Sequence, residues 1–283
     1  MMQNRPIALV TGTSSGFGLL ITLALAGSGY HVIATMRNIT KQDALMQAAE
    51  QKGLSQHIEC CSLDVSDQQA IGKTVDELMK RYGRIDVLVN NAGISLGGFV
   101  EEIPLEDWIH AMDTNFFGLV ALTQEVLPHM RSRKYGKIIN ISSISGRLGF
   151  PGYGPYAASK FAVEGFSESL RLEMLPYGVY VSLVEPGAYK TAIWSKGFDY
   201  ISMRARKESP YQEPLAAILA YSNNVANNAS DPQDVARTVV RIAQARYPKL
   251  RYVLGKGAWT AIWGKALLPW KWFEQIVLRQ LRK

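Results

Sequence analysis

Tyr156 and Lys160 stand four residues apart in Tyr156-Ala157-Ala158-Ser159-Lys160, and Ser143 lies thirteen residues upstream. On a helix that spacing stacks the phenol and the ammonium on one face, roughly 5–6 Å apart at Cβ. A free tyrosine, with a pKa of about 10, exchanges protons poorly near neutrality. A lysine ammonium beside it favours the phenolate and moves that pKa toward a useful range. A nearby serine hydroxyl can hold a substrate oxygen while the tyrosine passes it a proton.

A second cluster stands near the N-terminus. Thr11-Gly12-Thr13-Ser14-Ser15-Gly16-Phe17-Gly18 follows a short apolar strand and opens a helix. Glycines there permit a tight turn and close approach to a pyrophosphate, whose charge sits well at a helix N-terminus. The spacing is Gly-x-x-x-Gly-x-Gly, which departs from the commoner Gly-x-Gly-x-x-Gly, so the strand–turn–helix context carries the reading. An acid at the end of the second strand would bind a ribose 2′-hydroxyl. The chain reads Ala34-Thr35-Met36-Arg37 instead. Arg37 offers a planar fork to a 2′-phosphate, and Ser14 or Ser15 could add a hydroxyl, which favours NADP(H) as cofactor.

The elements that must position these groups alternate. Strands are expected at Ile7–Val10, Tyr30–Thr35, Ile58–Leu63, Ile85–Val89, Lys137–Ile141, Tyr180–Val184 and Arg251–Leu254. Helices are expected at Gly16–Ala26, Lys41–Lys52, Gln68–Tyr82, Leu105–Met112, Asn115–Ser132, Tyr156–Tyr177 and Pro232–Ala245. Short all-apolar strands between helices imply an α/β fold with a doubly wound, Rossmann-like parallel sheet, ligands lying at the strand carboxyl ends. Residues 188–230 read as an irregular, aromatic-rich flap within a single domain spanning 1–255. Residues 256–283 read as a helical, basic, Trp-rich extension.

With 283 residues, 47% hydrophobic and 19% charged, the chain can bury a sizeable core and does not resemble a disordered protein. Its first residues run straight into a strand, and no apolar run reaches the 18 or so residues a membrane span needs, so a cytoplasmic protein without a signal peptide is expected. Cys60 and Cys61 are adjacent and read as reduced packing residues. The four histidines show no ligand spacing, so no metal site is expected. The net charge of +7 is local: Arg246–Lys283 holds nine Lys/Arg against the single acid Glu274. That argues for a local basic surface and against nucleic-acid binding.

Taken together these motifs resemble the short-chain dehydrogenase/reductase family over residues 5–255. Asn90-Asn91-Ala92-Gly93 matches its strand-four motif, Asp64-Val65 resembles its adenine-contacting pair, and Asn115 resembles its active-site asparagine. Pro186-Gly187 with Thr191 resembles its nicotinamide-side loop. Ser14, Met36-Arg37 and the long C-terminal extension are most similar to NADP(H)-preferring 17β-hydroxysteroid and retinol dehydrogenases. The resemblance implies that Tyr156 is the proton donor in carbonyl reduction and the base in alcohol oxidation. It implies that Lys160 holds the nicotinamide ribose and lowers the tyrosine pKa, and that Asn115 holds a water linking Lys160 to solvent. Ser143 would steady the substrate oxygen; Ser142 is an alternative, but the thirteen-residue offset favours Ser143.

The substrate side is less defined. Tyr189, Trp194, Phe198, Tyr200, Met203 and Tyr211, with Phe99 and Leu148, either line a cleft for a flat lipophilic carbonyl or alcohol or pack the flap onto the core. The tail, with Trp259, Trp263, Trp270, Trp272 and Phe273 among cations, reads as a lid, a subunit contact in a homo-oligomer, or a membrane-surface foot. Two other functions compete: a nucleotide-sensing regulator without turnover, and a nucleotide-sugar epimerase or dehydratase. Intact Ser143, Tyr156 and Lys160 argue against the first. The glycine spacing and the absence of a longer substrate domain argue against the second.

Overall fold

Alternation along the first strand sends Ile7 and Leu9 to one face and Ala8 and Val10 to the other, and all four are buried. A strand apolar on both sides must lie inside a sheet covered twice. The computed structural model, which describes residues 5–193, 197, 200–201 and 208–281, has that arrangement. Its strands are β1 (Ile7–Thr11), β2 (His31–Met36), β3 (Ile58–Ser62), β4 (Val87–Asn90), β5 (Gly136–Ile141), β6 (Val179–Pro186) and β7 (Arg251–Leu254). All pair parallel, in the order β3-β2-β1-β4-β5-β6-β7.

Described helices cover both faces: α1 (Gly16–Gly27), α2 (Asp43–Gln51), α3 (Gln68–Tyr82), α4 (Leu105–Met112), α5 (Gly118–Ser132), α6 (Gly154–Met174), α7 (Gln212–Asn227), α8 (Gln233–Gln244), α9 (Ala258–Leu267) and α10 (Trp270–Leu281). One core joins Ala8, Val10 and Val32 to Ile21 and Leu25 of α1, Leu45 of α2 and Val239 of α8. The other joins Leu9, Ile33 and Leu88 to Val75 of α3, Val126 of α5 and Leu170 of α6. Each large side chain so buried contributes about 1.5–3 kcal/mol relative to exposure. Cys60 and Cys61 are free and pack against opposite cores, as adjacent strand residues must.

The chain runs outward from β1 to β3 and then returns to place β4 on the other side of β1. That reversal opens a crevice at the carboxyl ends of β1 and β4, where ligands bind in such sheets. Between α4 and α5, Asp113–Phe117 forms one π-helical turn. The expectation that 188–230 is irregular fails at α7, a sixteen-residue helix. Its sequence carries Asn at three positions, yet Leu215, Ile218 and Ser222 fall on one buried face, so packing overrides weak propensity. Among the described residues no helix is long and apolar enough to cross a membrane, and no cluster of His, Cys, Asp and Glu could hold a metal.

Candidate active site

The glycines of the first turn divide their work. A Cβ at Gly18 would lie 2.2 Å from the Gly12 carbonyl oxygen, and one at Gly12 would lie 2.8 Å from Ala92 Cα. Both therefore serve close backbone packing. Gly16 has φ +59° and only Thr191, at 3.7 Å, beside the same probe position. Ser15 caps α1 without a side-chain hydrogen bond, and no acid stands in the first turn. The positive end of α1 thus lies beside Thr191 with no acid or side-chain cap engaging it, an arrangement that fits a pyrophosphate.

The β4 loop braces that turn. Asn91 Nδ2 donates to the carbonyls of Thr11 (2.8 Å) and Gly12 (3.1 Å), while the amides of Asn91 and Ala92 both donate to Thr11 Oγ1 at 3.0 Å. Asn91 therefore shapes the crevice with its side chain. Gly93 lies beside Asn115 Oδ1 and Lys160 Nζ, 3.2 and 3.8 Å from where its Cβ would stand. At the adenine side, Asp64 accepts from Ser66 N and Oγ at 3.0 and 2.7 Å, and Val65 is buried. These bonds and the charge of Arg37 hold the Asp64 carboxyl below its usual range despite partial burial. Arg37 follows β2 directly and is exposed.

Helix α6 and the end of β5 carry the remaining groups. Lys160 is buried, its ammonium 5.7 Å from the Tyr156 ring centre, and it donates to the Ile141 carbonyl at 2.8 Å. Burial, opposed by Glu164, lowers its pKa to about 8. Burial raises the Tyr156 pKa, and a hydrogen bond with Ser143 opposes it. The expected downward shift is therefore reversed here: Lys160 lies against the ring and is bonded to main chain, while desolvation of the phenolate dominates. Ser143 Oγ accepts from Ser145 N (3.1 Å) and makes a long contact to the Pro186 carbonyl (3.4 Å). Ser142 Oγ donates to Glu164 Oε1 at 2.5 Å, both groups buried. Between the two serines, Ser142 is thus committed to Glu164.

Asn115 sits in the π turn, buried. Its Oδ1 accepts from Ile94 N (2.8 Å), and its Nδ2 donates to Ile94 O and Ser159 Oγ (both 2.9 Å). Both amide protons of Asn115 are thus engaged by protein groups, leaving no side-chain donor for a water in this state. A group not foreseen from sequence lies behind these residues. Arg251 of β7 pairs with Glu164 Oε2 (3.0 Å), Glu168 and Glu185 Oε1 (3.0 Å), and Arg147 reaches Glu185 Oε2 at 3.4 Å. Burial and the neighbouring Glu164 outweigh both arginines and push Glu185 up to about 7. Bonded partners in this group are up to 87 positions apart, with no spacing signal to announce them.

Ser143 and Tyr156 open on a cavity of about 660 Å³ that Phe17, Pro186, Gly187 and Thr191 also line. Its walls also include Leu148, Phe150, Tyr221, Phe273, Ile276 and Val277. Leu148 lines it as expected, whereas Phe99 stacks on Tyr211 at 4.2 Å and is absent from the walls. Tyr200 bonds Asp107, while Tyr189 lines the cavity as expected and also packs edge-on against Phe17. These three flap tyrosines are pinned by protein contacts; Trp194, Phe198 and Met203 lie outside the described residues.

Residues 6–200 match the family model described as short chain dehydrogenase. The chain belongs to the short-chain dehydrogenase/reductase family. It is 43% identical over 283 residues to the uncharacterized oxidoreductase YusZ of Bacillus subtilis (strain 168), covering 99% of each chain. It is 38% identical to retinol dehydrogenase 8 of Homo sapiens over 86% of this chain and 79% of that one. Among solved structures it resembles a closed serine dehydrogenase complexed with NADP+, with TM-score 0.74 and 30% identity over 88% of this chain and 94% of that one. As a family member it is an oxidoreductase that binds a nicotinamide dinucleotide and acts on a small carbonyl or alcohol. The left-handed Gly16 turn and the uncapped N-terminus of α1 fit that cofactor.

Proposed function

We propose that this chain is an NADP(H)-preferring oxidoreductase that interconverts a carbonyl and an alcohol on a lipophilic, steroid- or retinoid-like substrate. The observation that carries this is the cavity itself: a large, mostly apolar space with Ser143 and Tyr156 in its wall. The bound nicotinamide supplies or accepts the hydride. Ser143 donates a hydrogen bond to the substrate oxygen, and Tyr156, protonated at neutral pH by its raised pKa, gives that oxygen its proton. Lys160 binds the ribose hydroxyls once its ammonium leaves the Ile141 carbonyl. Gly12, Ser14, Ser15, Gly16, Phe17, Gly18, Asn91, Ala92, Gly93, Pro186, Gly187 and Thr191 frame the dinucleotide. Asp64 and Val65 border the adenine.

Arg37 supports NADP(H): it is exposed beside the adenine side, and no acid stands at the end of β2 to claim a 2′-hydroxyl. The likeness to a serine dehydrogenase complexed with NADP+ points the same way. Residues 256–281 belong to the substrate compartment in this reading, because Phe273, Ile276 and Val277 help wall it. Tyr156→Phe tests the assignment. NADPH affinity should persist, and turnover of lipophilic ketones should fall about 10²–10⁴-fold, the contribution of a positioned acid. Retention of more than about a tenth of the activity would overturn it.

A further inference from the structure

Helices α9 and α10 are apolar on two sides. On α9, Ala258 and Ile262 are buried against Leu148 and Val253, while Trp259 and Trp263 are 53% and 54% exposed and Leu267 is 74% exposed. These three recur every four residues, so they form one outward stripe. On α10, Phe273 and Val277 face the cavity, whereas Trp270 and Trp272 are 57% and 60% exposed and Leu278 is half exposed. Single exposed apolar residues are ordinary; four exposed tryptophans within fourteen residues are a surface that something covers.

The charges say what covers it. Lys256, Lys271 and Arg279 are exposed, Lys265 is tied to the Arg147 carbonyl at 2.6 Å, and Glu274 is the single acid of residues 256–281. An apolar protein partner would leave those cations unanswered. A bilayer with anionic headgroups answers both features, since indole buries its body while its N–H stays wet and cations gain from the surface potential.

We propose that the outer face of α9 and α10 docks this protein on an anionic lipid surface. Because the inner face of the same helices walls the cavity, docking presents the substrate compartment to the phase in which a lipophilic carbonyl dissolves. That link to turnover rests on the function proposed above; the docking face itself does not.

The test uses the full chain and vesicles of phosphatidylcholine with or without phosphatidylserine. Co-flotation with the anionic vesicles alone, release by high salt and a blue shift of tryptophan emission are expected. Lys271→Ala and Arg279→Ala should each weaken vesicle partition about five-fold. The Trp259→Ser/Trp263→Ser pair should abolish it; should that pair melt early, the two cation variants carry the test. Absence of flotation at low salt with unshifted emission would overturn the proposal. So would a concentration-dependent dimer that Trp259→Ser/Trp263→Ser dissociates, because a second copy would then own the face. If docking fails while lipophilic ketones turn over in solution, only the docking face is refuted. Flotation without turnover of any such ketone refutes the substrate reading instead.

Discussion

Two adjacent serines should fail in opposite ways when each is changed to alanine. Ser142 Oγ is buried and donates to the buried Glu164 carboxylate at 2.5 Å. Glu164 already has a raised pKa from burial, so its charge depends on Ser142 and Arg251. Removing a donor to a buried charged group costs about 1.5–3 kcal/mol. At about 2–4 °C per kcal/mol for a chain of this size, Ser142→Ala should melt about 3–12 °C lower while keeping most of its turnover. Ser143 Oγ meets the Ser145 amide, the Tyr156 hydroxyl and, at a longer distance, the Pro186 carbonyl, none of them a charged group, so its loss should cost about 0.5–1.5 kcal/mol of stability. Its activity should instead drop about 10²-fold or more, the effect of deleting one donor to a developing oxyanion. Thermal melts and NADPH consumption with a lipophilic ketone, on both variants at one temperature where each is folded, decide the matter. If Ser142→Ala loses more turnover than Ser143→Ala, the division between a structural and a substrate-binding serine is wrong.

Arg37→Ala should narrow the preference for NADPH over NADH by about 1.5–3 kcal/mol, roughly ten- to 150-fold in the ratio of dissociation constants, and an unchanged ratio would refute its role. Gly18→Ala should destabilise the cofactor-free protein by about 1–3 kcal/mol, because its Cβ meets the main chain of Gly12; an unaltered melt would contradict the close packing seen there. The pH profile of kcat/KM for NADPH should fall as pH rises through about 8, where cofactor-free Lys160 loses its charge. Glu164→Gln removes the negative partner that raises the Lys160 pKa, so it should move that limb to lower pH. A shift upward would contradict the sign.

The fold was legible where local signals and packing agree. Helix α3 spans Gln68–Tyr82 as expected because Asp67 caps it through Ala70 N and Gly83, at φ 68°, ends it. Helix α4 and strand β7 likewise match residue for residue. Helix α7 was hidden because its polar sequence is held by Tyr153 donating to Ser222 and Phe150 stacking on Tyr221, contacts that exist only after folding. The spacing of Tyr156 and Lys160 was readable, but the sign of the tyrosine shift was not, since helical periodicity carries no information about desolvation. Met36 offers a similar lesson. It ends β2 beside Arg37, yet it is buried in the core, so an acid placed there would meet hydrocarbon before any ribose.

The arginine at the start of β7 sets a natural seam in the polypeptide. Arg251 fastens this edge strand to Glu164 and Glu168 on α6 and to Glu185 on β6, so everything through Leu254 belongs electrostatically to the machinery around Lys160. Beyond it, Gly255 and Gly257, at φ 101° and 71°, turn the chain into the two terminal helices. Those helices meet the rest mainly through apolar contacts and the Lys265 bond to Arg147. The seam therefore separates two kinds of inheritance. Upstream lie Ser143, Tyr156 and Lys160 together with one part of the cavity wall, Leu148, Phe150 and Tyr221; downstream lie two helices that add Phe273, Ile276 and Val277, so exchanging them should alter what enters the cavity while leaving the reacting groups in place.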